Sequence, residues 1–317
     1  MSRTLLRILE TPQEMSAVEE LQRQVWPGDE TDVVPTHMLL AVVHNGGLLI
    51  GAYHAGETED ESGQAELERG EIPPQAPLVG FVFGFPGLYS TPDGPRPKHH
   101  SHMLGVRPDQ RDRGTGFKLK RAQWQMVRHQ GLDRITWTYD PLLSRNAHLN
   151  IARLGAVCNT YLLEEYGEMR DGLNSGLPSD RFQVDWWIRS ERVNRRLSKH
   201  LRRPLDLAHY LAAETTILNP SEIGQDRWPR PPTEFHLGEI KNVHAEQEEQ
   251  PLVLVEIPAD FLALKDASPA LALEWRLHTR HLFEALFERG YLVTDFVHLP
   301  GTYARSFYVL SYGEAKV

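Results

Sequence analysis

Apolar and polar positions alternate with two different periods along the first 190 residues of the chain. Short apolar runs typical of strands occupy residues 4–9, 46–54, 78–85, 100–106, 134–141, 156–166 and 181–189. Apolar positions three or four residues apart predict helices over residues 11–26, 31–43, 116–130 and 144–155. Pro12 after Thr11 and Gly131 after the third helix fit a helix start and a helix stop. The succession of strand, bend, helix and strand predicts a right-handed crossover, which is typical of an α/β fold.

The pattern changes after residue 190. Residues 191–203 predict a helix with one basic and one apolar face, and a proline-rich link follows. Strand, helix, strand and strand are then predicted at 251–258, 271–289, 291–297 and 306–311. The predicted organisation is a domain over 1–190, a basic helix and linker over 191–250, and a smaller C-terminal α/β unit over 251–317. The basic face is interpreted as solvated. Contact with nucleic acid or with an acidic partner is the alternative, and the face could also meet the acid-rich segment 57–71.

Composition restricts the classes of protein to which the chain can belong. It has 317 residues, and 40% of them are hydrophobic, which is enough for a buried core. Its formal net charge of -9 argues against a protein that binds nucleic acid over its whole surface. Its one cysteine, Cys158, excludes an intrachain disulfide and is expected to be a buried strand residue. The sequence shows neither a signal peptide nor an apolar run long enough for a membrane span, so a cytoplasmic location without membrane contact is expected.

The stretch "GVRPDQRDRGTGFKLKRA", residues 105–122, concentrates positive charge around two glycines at the start of a predicted helix. A helix N-terminus offers backbone N–H groups without partners and a partial positive charge, both of which suit a phosphate group. Gly114 and Gly116 let the backbone approach such a ligand, and Arg111 and Arg113 can add charged hydrogen bonds. A tight strand-to-helix turn with solvated arginines is the alternative interpretation.

Two common phosphate loops do not fit this stretch. A Walker A loop requires Lys directly after its second glycine, where the chain has Phe117, and a dinucleotide loop requires a third glycine at Leu119. The remaining pattern is V-x-P-x-x-R-x-x-G-x-G, formed by Val106, Pro108, Arg111, Gly114 and Gly116. This pattern resembles the acetyl-CoA loop of the GNAT N-acyltransferase superfamily. The order of predicted elements over residues 4–190 resembles the GNAT fold as well, which implies an α/β (α+β) fold with a mixed sheet.

The resemblance implies acetyl-CoA as the co-substrate and assigns roles along one strand and turn. In this family, loop N–H groups bind the CoA pyrophosphate, and strand residues before the loop pair with the pantetheine arm. A backbone N–H on the same strand, which counting back from the loop places at Leu104, polarises the thioester carbonyl. The cofactor-binding residues implied are Leu104, Gly105, Val106, Arg111, Asp112, Arg113, Gly114, Thr115 and Gly116.

Two histidines are the candidate catalytic bases. The resemblance to histone acetyltransferases of the superfamily, which carry a glutamate base on this strand, places His100 at that position, and His102 competes with it. Strand alternation predicts His100, His102, Leu104 and Val106 on one face, with Ser101 on the other. A histidine-rich strand end without function is the alternative, and no metal site is expected because no cysteine lies nearby.

The general acid is the weakest part of the resemblance. Ile151 stands where many family members carry a tyrosine acid, which leaves Tyr139 and Tyr161 as candidates alongside an unassisted thiolate. Asn146 and Asn150 could reach the pantetheine, although helix capping or surface exposure is the favoured interpretation.

The favoured function is a cytoplasmic N-acetyltransferase that transfers an acetyl group directly from acetyl-CoA to a small-molecule or peptide amine. The alternatives are an inactive CoA-binding or regulatory module and an accessory protein without a cofactor. The C-terminal unit resembles a degenerate GNAT half that repeats the strand, helix and strand of residues 103–139, although an unrelated appendage is an equal alternative. Monomer and homodimer are both left open.

Overall fold

The computed structural model describes residues 2–28, 30–57, 76–167, 176–198, 205–235 and 251–313. Two compact units divide the chain between Trp137 and Thr138. This division falls inside the predicted 1–190 domain, and the predicted limits at 190 and 250 stay predictions. The acid-rich segment 57–71, of which only the backbone of Glu57 is described, and residues 199–203 of the basic stretch lie outside the described residues.

The first unit carries the predicted strand–turn–helix segment. Its strands are β1 (Ser2–Ile8), β2 (Leu48–Glu57), β3 (Leu78–Tyr89), β4 (Arg96–Val106) and the start of β5 (Arg134–Tyr139). They lie in the order β1-β2-β3-β4-β5, with the first four antiparallel and β5 parallel to β4. The helices are α1 (Pro12–Val25), α2 (Thr36–His44) and α3 (Thr115–His129). The predicted α/β fold class with a mixed sheet is confirmed.

Helices cover both faces of this sheet. The α1 helix begins with a capping box, in which the Thr11 hydroxyl accepts from Glu14 N and the Glu14 carboxylate accepts from Thr11 N at 3.0 Å. Its apolar face and Leu39 of α2 bury against Phe81 and Phe83 of β3. On the opposite face, α3 packs against β1 to β4. Each fully buried side chain of this size stabilises the fold by roughly 1.5–3 kcal/mol.

The second unit contains a six-stranded sheet in the order β7-β6-β12-β13-β11-β8. Its strands are β6 (Val157–Leu162), β7 (Arg181–Trp187), β8 (Thr216–Ile217), β11 (Val253–Pro258), β12 (Tyr291–Leu299) and β13 (Arg305–Tyr312), with a separate hairpin of β9 (Glu222–Ile223) and β10 (Pro229–Arg230). Its helices are α4 (Ser144–Ala147, continued by a π-helical turn His148–Arg153), α5 (Glu191–Leu197), α6 (Leu207–Ala212), α7 (Phe261–Ala267) and α8 (Pro269–Glu288).

Two segments of this unit repeat one layout of helix, glycine, strand and strand. Gly155, with φ 77°, joins the helical turn after α4 to β6, and Gly290, with φ 83°, joins α8 to β12. Cys158 and Val293 each stand three residues after their glycine, and they pair with each other across the antiparallel β6–β12 contact. Pairing of equivalent residues places a local two-fold axis between them.

The details of the two hairpins agree with this axis. The β6–β7 pairing has a bulge between Cys158 and Thr160, and the β12–β13 pairing has one between Val293 and Asp295, at the equivalent position. The helical turn after α4 contacts β12, and α8 contacts β6, so each helix packs on the strand of the other repeat. The two hairpins of the second unit are therefore related by an approximate local two-fold axis.

The C-terminal unit is predicted to repeat residues 103–139, and its sheet order differs from the order of the strands there. There, β4 and β5 are parallel neighbours, whereas β13 lies between β11 and β12. The strand that matches β5 is β11, because β8 lies parallel beside it, as β4 lies beside β5. The second repeat thus lacks a described counterpart of α3.

The basic residues of α5 hold the two repeats together. Arg192 donates to the carbonyl of Gly155 at 3.0 Å and also to that of Thr294. Arg196 donates to the carbonyl of Ala152 at 2.8 Å and to the Asp295 carboxylate at 2.6 Å. The interpretation of this face as solvated is therefore wrong for Arg192 and Arg196, which satisfy backbone and carboxylate acceptors of both repeats.

Candidate active site

The turn from β4 to α3 is shaped by two residues in the left-handed region. Asp112 has φ 64° and Gly114 has φ 76°. Gly114 precedes the first residue of α3 and gives the helix no side-chain cap. A Cβ at Gly114 would meet nothing within 4 Å, so the space beside it is open.

The predicted loop residues surround this turn. Arg111 is half-buried and donates from Nε to the Val106 carbonyl at 3.2 Å, which ties the turn to the end of β4. Asp112, Arg113 and Gly114 are exposed, Thr115 is buried, and Gly116 is half-buried in the first turn of α3. The structure thus brings all six predicted loop residues, 111–116, to one helix N-terminus.

A bulge in β4 changes the predicted alternation of its side chains. Phe83 pairs with Met103, whereas Gly84 pairs with Ser101, which leaves His102 as the extra residue. Side chains of paired residues share a face of the sheet, so Leu104 lies with Val82, and Val106 with Gly80. A Cβ on Gly80 would lie 3.3 Å from both Val106 and Leu119 of α3, which identifies this face as the α3 side.

The prediction that Leu104 and Val106 share a face with the two histidines is therefore wrong. His100 pairs with Phe85, and its ring lies 5.3 Å from that of Phe85 between centroids, on the opposite face from α3. His102 lies 5.8 Å from Phe85 and 6.0 Å from His100 by the same measure, so both histidines do share one face. A sequence-based alternation cannot foresee an inserted bulge residue.

Backbone directions along β4 suit the role implied for Leu104. Arg107 N donates toward β3, to the carbonyl of Val79 at 2.9 Å. Since N–H directions alternate along a strand, those of Leu104 and Val106 point away from β3. The described β4–β5 pairing covers His99↔Ile135 and His100↔Thr136, so this edge of β4 diverges from β5 between Ser101 and Val106.

The two candidate bases are neutral at neutral pH. Burial lowers the pKa of His100 to about 4, with smaller contributions from His102, Lys98 and Lys120. Burial also lowers the pKa of His102, whose side chain is the more exposed of the two. A neutral imidazole can accept a proton, which is what a general base requires.

On the α3 side, β4 contributes to a buried polar cluster that sequence reasoning missed. Lys120 Nζ donates to Ser101 Oγ at 3.0 Å and to Gln123 Oε1 at 2.9 Å, and it lies 3.6 Å from the centre of the Trp137 ring. The Gln123 amide nitrogen lies 3.2 Å from His99 Nε2. Burial lowers the pKa of Lys120, and it lowers the pKa of His99 to about 3. The sequence carries one signal for this cluster, because Lys120 and Gln123 stand three residues apart and therefore lie on one face of α3.

The two tyrosines considered as general acids are core residues. Tyr139 lies 3.1 Å from Tyr308 between hydroxyl oxygens, and Tyr161 donates to the Asp180 carboxylate at 2.9 Å. Burial raises the pKa of both phenols. Ile151 is fully buried. Neither tyrosine is available as the acid, because both hydroxyls are committed to buried partners.

The remaining candidates behave as packed residues. Cys158 is buried and donates to the Gln183 carbonyl at 3.3 Å, and burial raises the pKa of its thiol, so a structural role is confirmed. Asn150 is buried and Asn146 is half-buried. Among the described residues, no cluster of three His, Cys, Asp or Glu side chains is arranged to hold a metal ion. In the same part of the chain, no helix has the length and apolar character to cross a bilayer.

Comparison with solved structures returns acetyltransferases. The chain matches Arabidopsis thaliana NAA60 in complex with acetyl-CoA with 15% identity and a TM-score of 0.42, covering 58% of this chain and 99% of that one. It matches the ribosomal-protein-S18-alanine N-acetyltransferase from Escherichia coli with 12% identity and a TM-score of 0.39, covering 63% and 100%. The NatC complex bound to Gag peptide and CoA matches with 14% identity and a TM-score of 0.38, covering 58% and 97%. These belong to the GNAT acetyltransferases that the loop sequence resembles.

No family model matches the sequence, and no curated protein matches it either.

Proposed function

We propose that this protein is an N-acetyltransferase that uses acetyl-CoA and acetylates an amine by direct transfer. The observation that carries the proposal is the β4–α3 turn, where an uncapped helix N-terminus meets an open glycine at φ 76° directly after the diverging edge of β4. A helix N-terminus binds phosphate through its N–H groups and its dipole. The acetyltransferases found by the structural comparison support the same class of reaction.

The residues of the turn fit the diphosphate of CoA. The N–H groups of residues 111–116 would bind the phosphate oxygens, and the exposed Arg113 would add charge-assisted hydrogen bonds. A side chain at position 114 would fill the open space that the glycine leaves. The pantetheine arm would continue along β4, where the N–H groups of Leu104 and Val106 point away from β3.

The chemistry needs an acceptor amine in its neutral form. His100 or His102 would accept the proton from the amine nitrogen as that nitrogen attacks the acetyl carbonyl carbon. A C–N bond forms, the C–S bond breaks, and CoA leaves as a thiolate with the bonding electron pair. The N–H of Leu104 would stabilise the oxyanion that forms on the carbonyl oxygen. The acceptor would be a small-molecule or peptide amine.

The thiolate leaves without a tyrosine acid in this proposal. Ile151 is fully buried, and the hydroxyls of Tyr139 and Tyr161 are committed to Tyr308 and Asp180. The same observation supports the second candidate function, a CoA-binding module without catalysis. Release of free thiol from acetyl-CoA, measured across a panel of primary amines and peptides, distinguishes the two. An amine that accelerates release supports the enzyme, whereas CoA binding without transfer supports the module.

The coenzyme site itself is tested by one glycine substitution. Gly114→Asp introduces a carboxylate that competes for the helix N–H groups and repels phosphate, so we expect CoA affinity to fall about 10- to 100-fold. Isothermal titration calorimetry with CoA measures this change. Gly131→Asp is the matched control, because Gly131 has φ 81°, open space around its Cβ position, and lies just beyond the opposite end of α3. Equal affinities in the two variants would refute the assignment of the turn.

A further inference from the structure

The hydroxyl of Thr136 in β5 is a buried polar group that the proposed function does not use. Thr136 has no exposed surface, and its Oγ1 has no hydrogen-bond partner among the described residues. A buried hydroxyl without a partner costs free energy of folding, whereas valine would fill the same space without that cost. A role for this hydroxyl therefore has to be sought in its surroundings.

Register places Thr136 directly beside His100. The two residues are partners in the parallel β4–β5 pairing, so their side chains project from the same face of the sheet at neighbouring positions. The next residue of β5 confirms the direction, because the ring of Trp137 lies under Lys120 of α3. Thr136 therefore faces away from α3, as His100 does.

Apart from Thr136, the groups considered around His100 are an aromatic ring and side chains that can carry positive charge. Phe85 of β3 contributes only an aromatic ring. The titratable or charged groups that act on His100 are His102 and Lys98 of β4 and Lys120 of α3, and all three disfavour its protonated form. A base needs one ring nitrogen free for the amine, and its other nitrogen must carry a proton that is held by an acceptor.

We propose that Thr136 is a positioning residue for His100, and that the Thr136 hydroxyl oxygen, which has no partner in the described part of the structure, accepts a hydrogen bond from the second ring nitrogen of the imidazole when CoA is bound. This inference rests on the proposed acetyl transfer and selects His100 over His102 as its base. The hydrogen bond fixes the neutral tautomer with its lone pair toward the acceptor amine. When the amine proton moves to that lone pair, the same bond stabilises the imidazolium, and the proton of the second nitrogen stays in place.

Kinetics of two Thr136 variants test the proposal. Thr136→Val removes the hydroxyl and keeps the shape, so kcat should fall about 10- to 100-fold, by analogy with metal-binding histidines that lose the acceptor of their second ring N–H. The KM for acetyl-CoA should not change, and Thr136→Ser should retain most of the activity. The acidic limb of the kcat/KM profile should move to lower pH in Thr136→Val, because the imidazolium loses a stabilising acceptor. The melting temperature of the protein without coenzyme should stay equal or rise, because the hydroxyl that is removed has no partner there.

Thr279→Val is the control for loss of a buried threonine hydroxyl. The Thr279 side chain is fully buried and bonds to the carbonyl of Trp275 within its own helix at 2.7 Å. It should leave kcat and the pH profile unchanged. An unchanged kcat in Thr136→Val, or an equal loss in Thr279→Val, would overturn the proposal.

A measurement without turnover separates this proposal from the proposed function. Histidine ring nitrogens of the ¹⁵N-labelled protein with bound CoA report the tautomer of each imidazole, and His100→Gln assigns the resonance. We expect one neutral tautomer for His100 in the wild type and a mixture in Thr136→Val. The same mixture in both would refute the positioning role even if acetyl transfer occurs. A single tautomer without transfer to any amine would instead count against the proposed function.

Discussion

The buried imidazole of His99 makes the stability of the first unit depend on pH in a calculable way. His99 is fully buried beside Gln123, and burial lowers its pKa to about 3, whereas an unfolded histidine titrates near 6.5. Below about pH 6.5, the histidine of the unfolded chain therefore binds a proton, whereas His99 of the native chain stays neutral until the pH approaches about 3. The contribution of neutral His99 to the free energy of unfolding is fully present above about pH 6.5. It decreases on acidification until the pH reaches the native pKa of about 3.

The magnitude follows from the two pKa values. At about pH 5, an unfolded histidine favours protonation by roughly 30 to 1, and native His99 stays neutral, so acidification from about pH 7.5 costs roughly 2 kcal/mol through this one side chain. His100, with a native pKa of about 4, adds a similar amount. His99→Gln keeps an amide partner for Gln123 but cannot titrate. We expect it to reduce the acid-induced loss by roughly 2 kcal/mol.

Hydrogen exchange of peptides from β4 and α3, read by mass spectrometry at both pH values, gives the local opening free energy of this unit. His129→Gln is the matched control, because it removes an exposed imidazole from the end of α3. The quantity compared is the difference between the two pH values, so a uniform loss of stability in a variant cancels. If His99→Gln loses as much stability on acidification as the wild type, the account of His99 as a buried neutral group is wrong.

Three further predictions concern packing, the repeats and the coenzyme. Gly105→Ala should destabilise the first unit by about 1–3 kcal/mol in thermal unfolding, because its Cβ would lie 2.8 Å from Phe81 and 3.1 Å from Trp26; an unchanged melting temperature would contradict this packing. Arg196→Met should cost about 1–3 kcal/mol in urea unfolding, because Asp295 loses its cation, whereas Arg195→Met, at an exposed position, should change stability by less than about 0.5 kcal/mol. Calorimetry should find one CoA per chain. In the second repeat, β8 and β11 take the places of β4 and β5, and the Asn219 side chain bonds to the backbone of Glu256 in β11 at 3.0 and 2.7 Å, so those backbone groups are not free for a coenzyme. A stoichiometry of two would refute this.

Local signals in the sequence predicted most of the first unit. Gly114 and Gly131 delimit α3, because each adopts a positive φ that glycine accepts without strain. The Thr11–Glu14 capping box likewise fixed the start of α1. Both the loop and its helix therefore follow from short-range chemistry that a single sequence displays.

Features that depend on distant partners could not be predicted. The bulge at His102 arises from the register between β3 and β4, and alternation within β4 alone gives the wrong face for Leu104. The sequence alone predicts Arg192 and Arg196 to be solvated, because their acceptors, such as Asp295, lie about a hundred residues away in the chain. Tyr139 and Tyr161 read as candidate acids for the same reason, since their partners are set by tertiary packing.

The contact between β6 and β12 also limits where another molecule could pair with this sheet. A strand at the border of a sheet exposes unpaired N–H and C=O groups that can recruit another molecule. Here β12 of the same chain occupies the outer side of β6, and at the other end of the β7-to-β8 row the terminal strand, β8, is two residues long. So short a border offers few groups to an incoming strand. Pairing of the two hairpins within one chain thus leaves β6 without a free border on the side of β12.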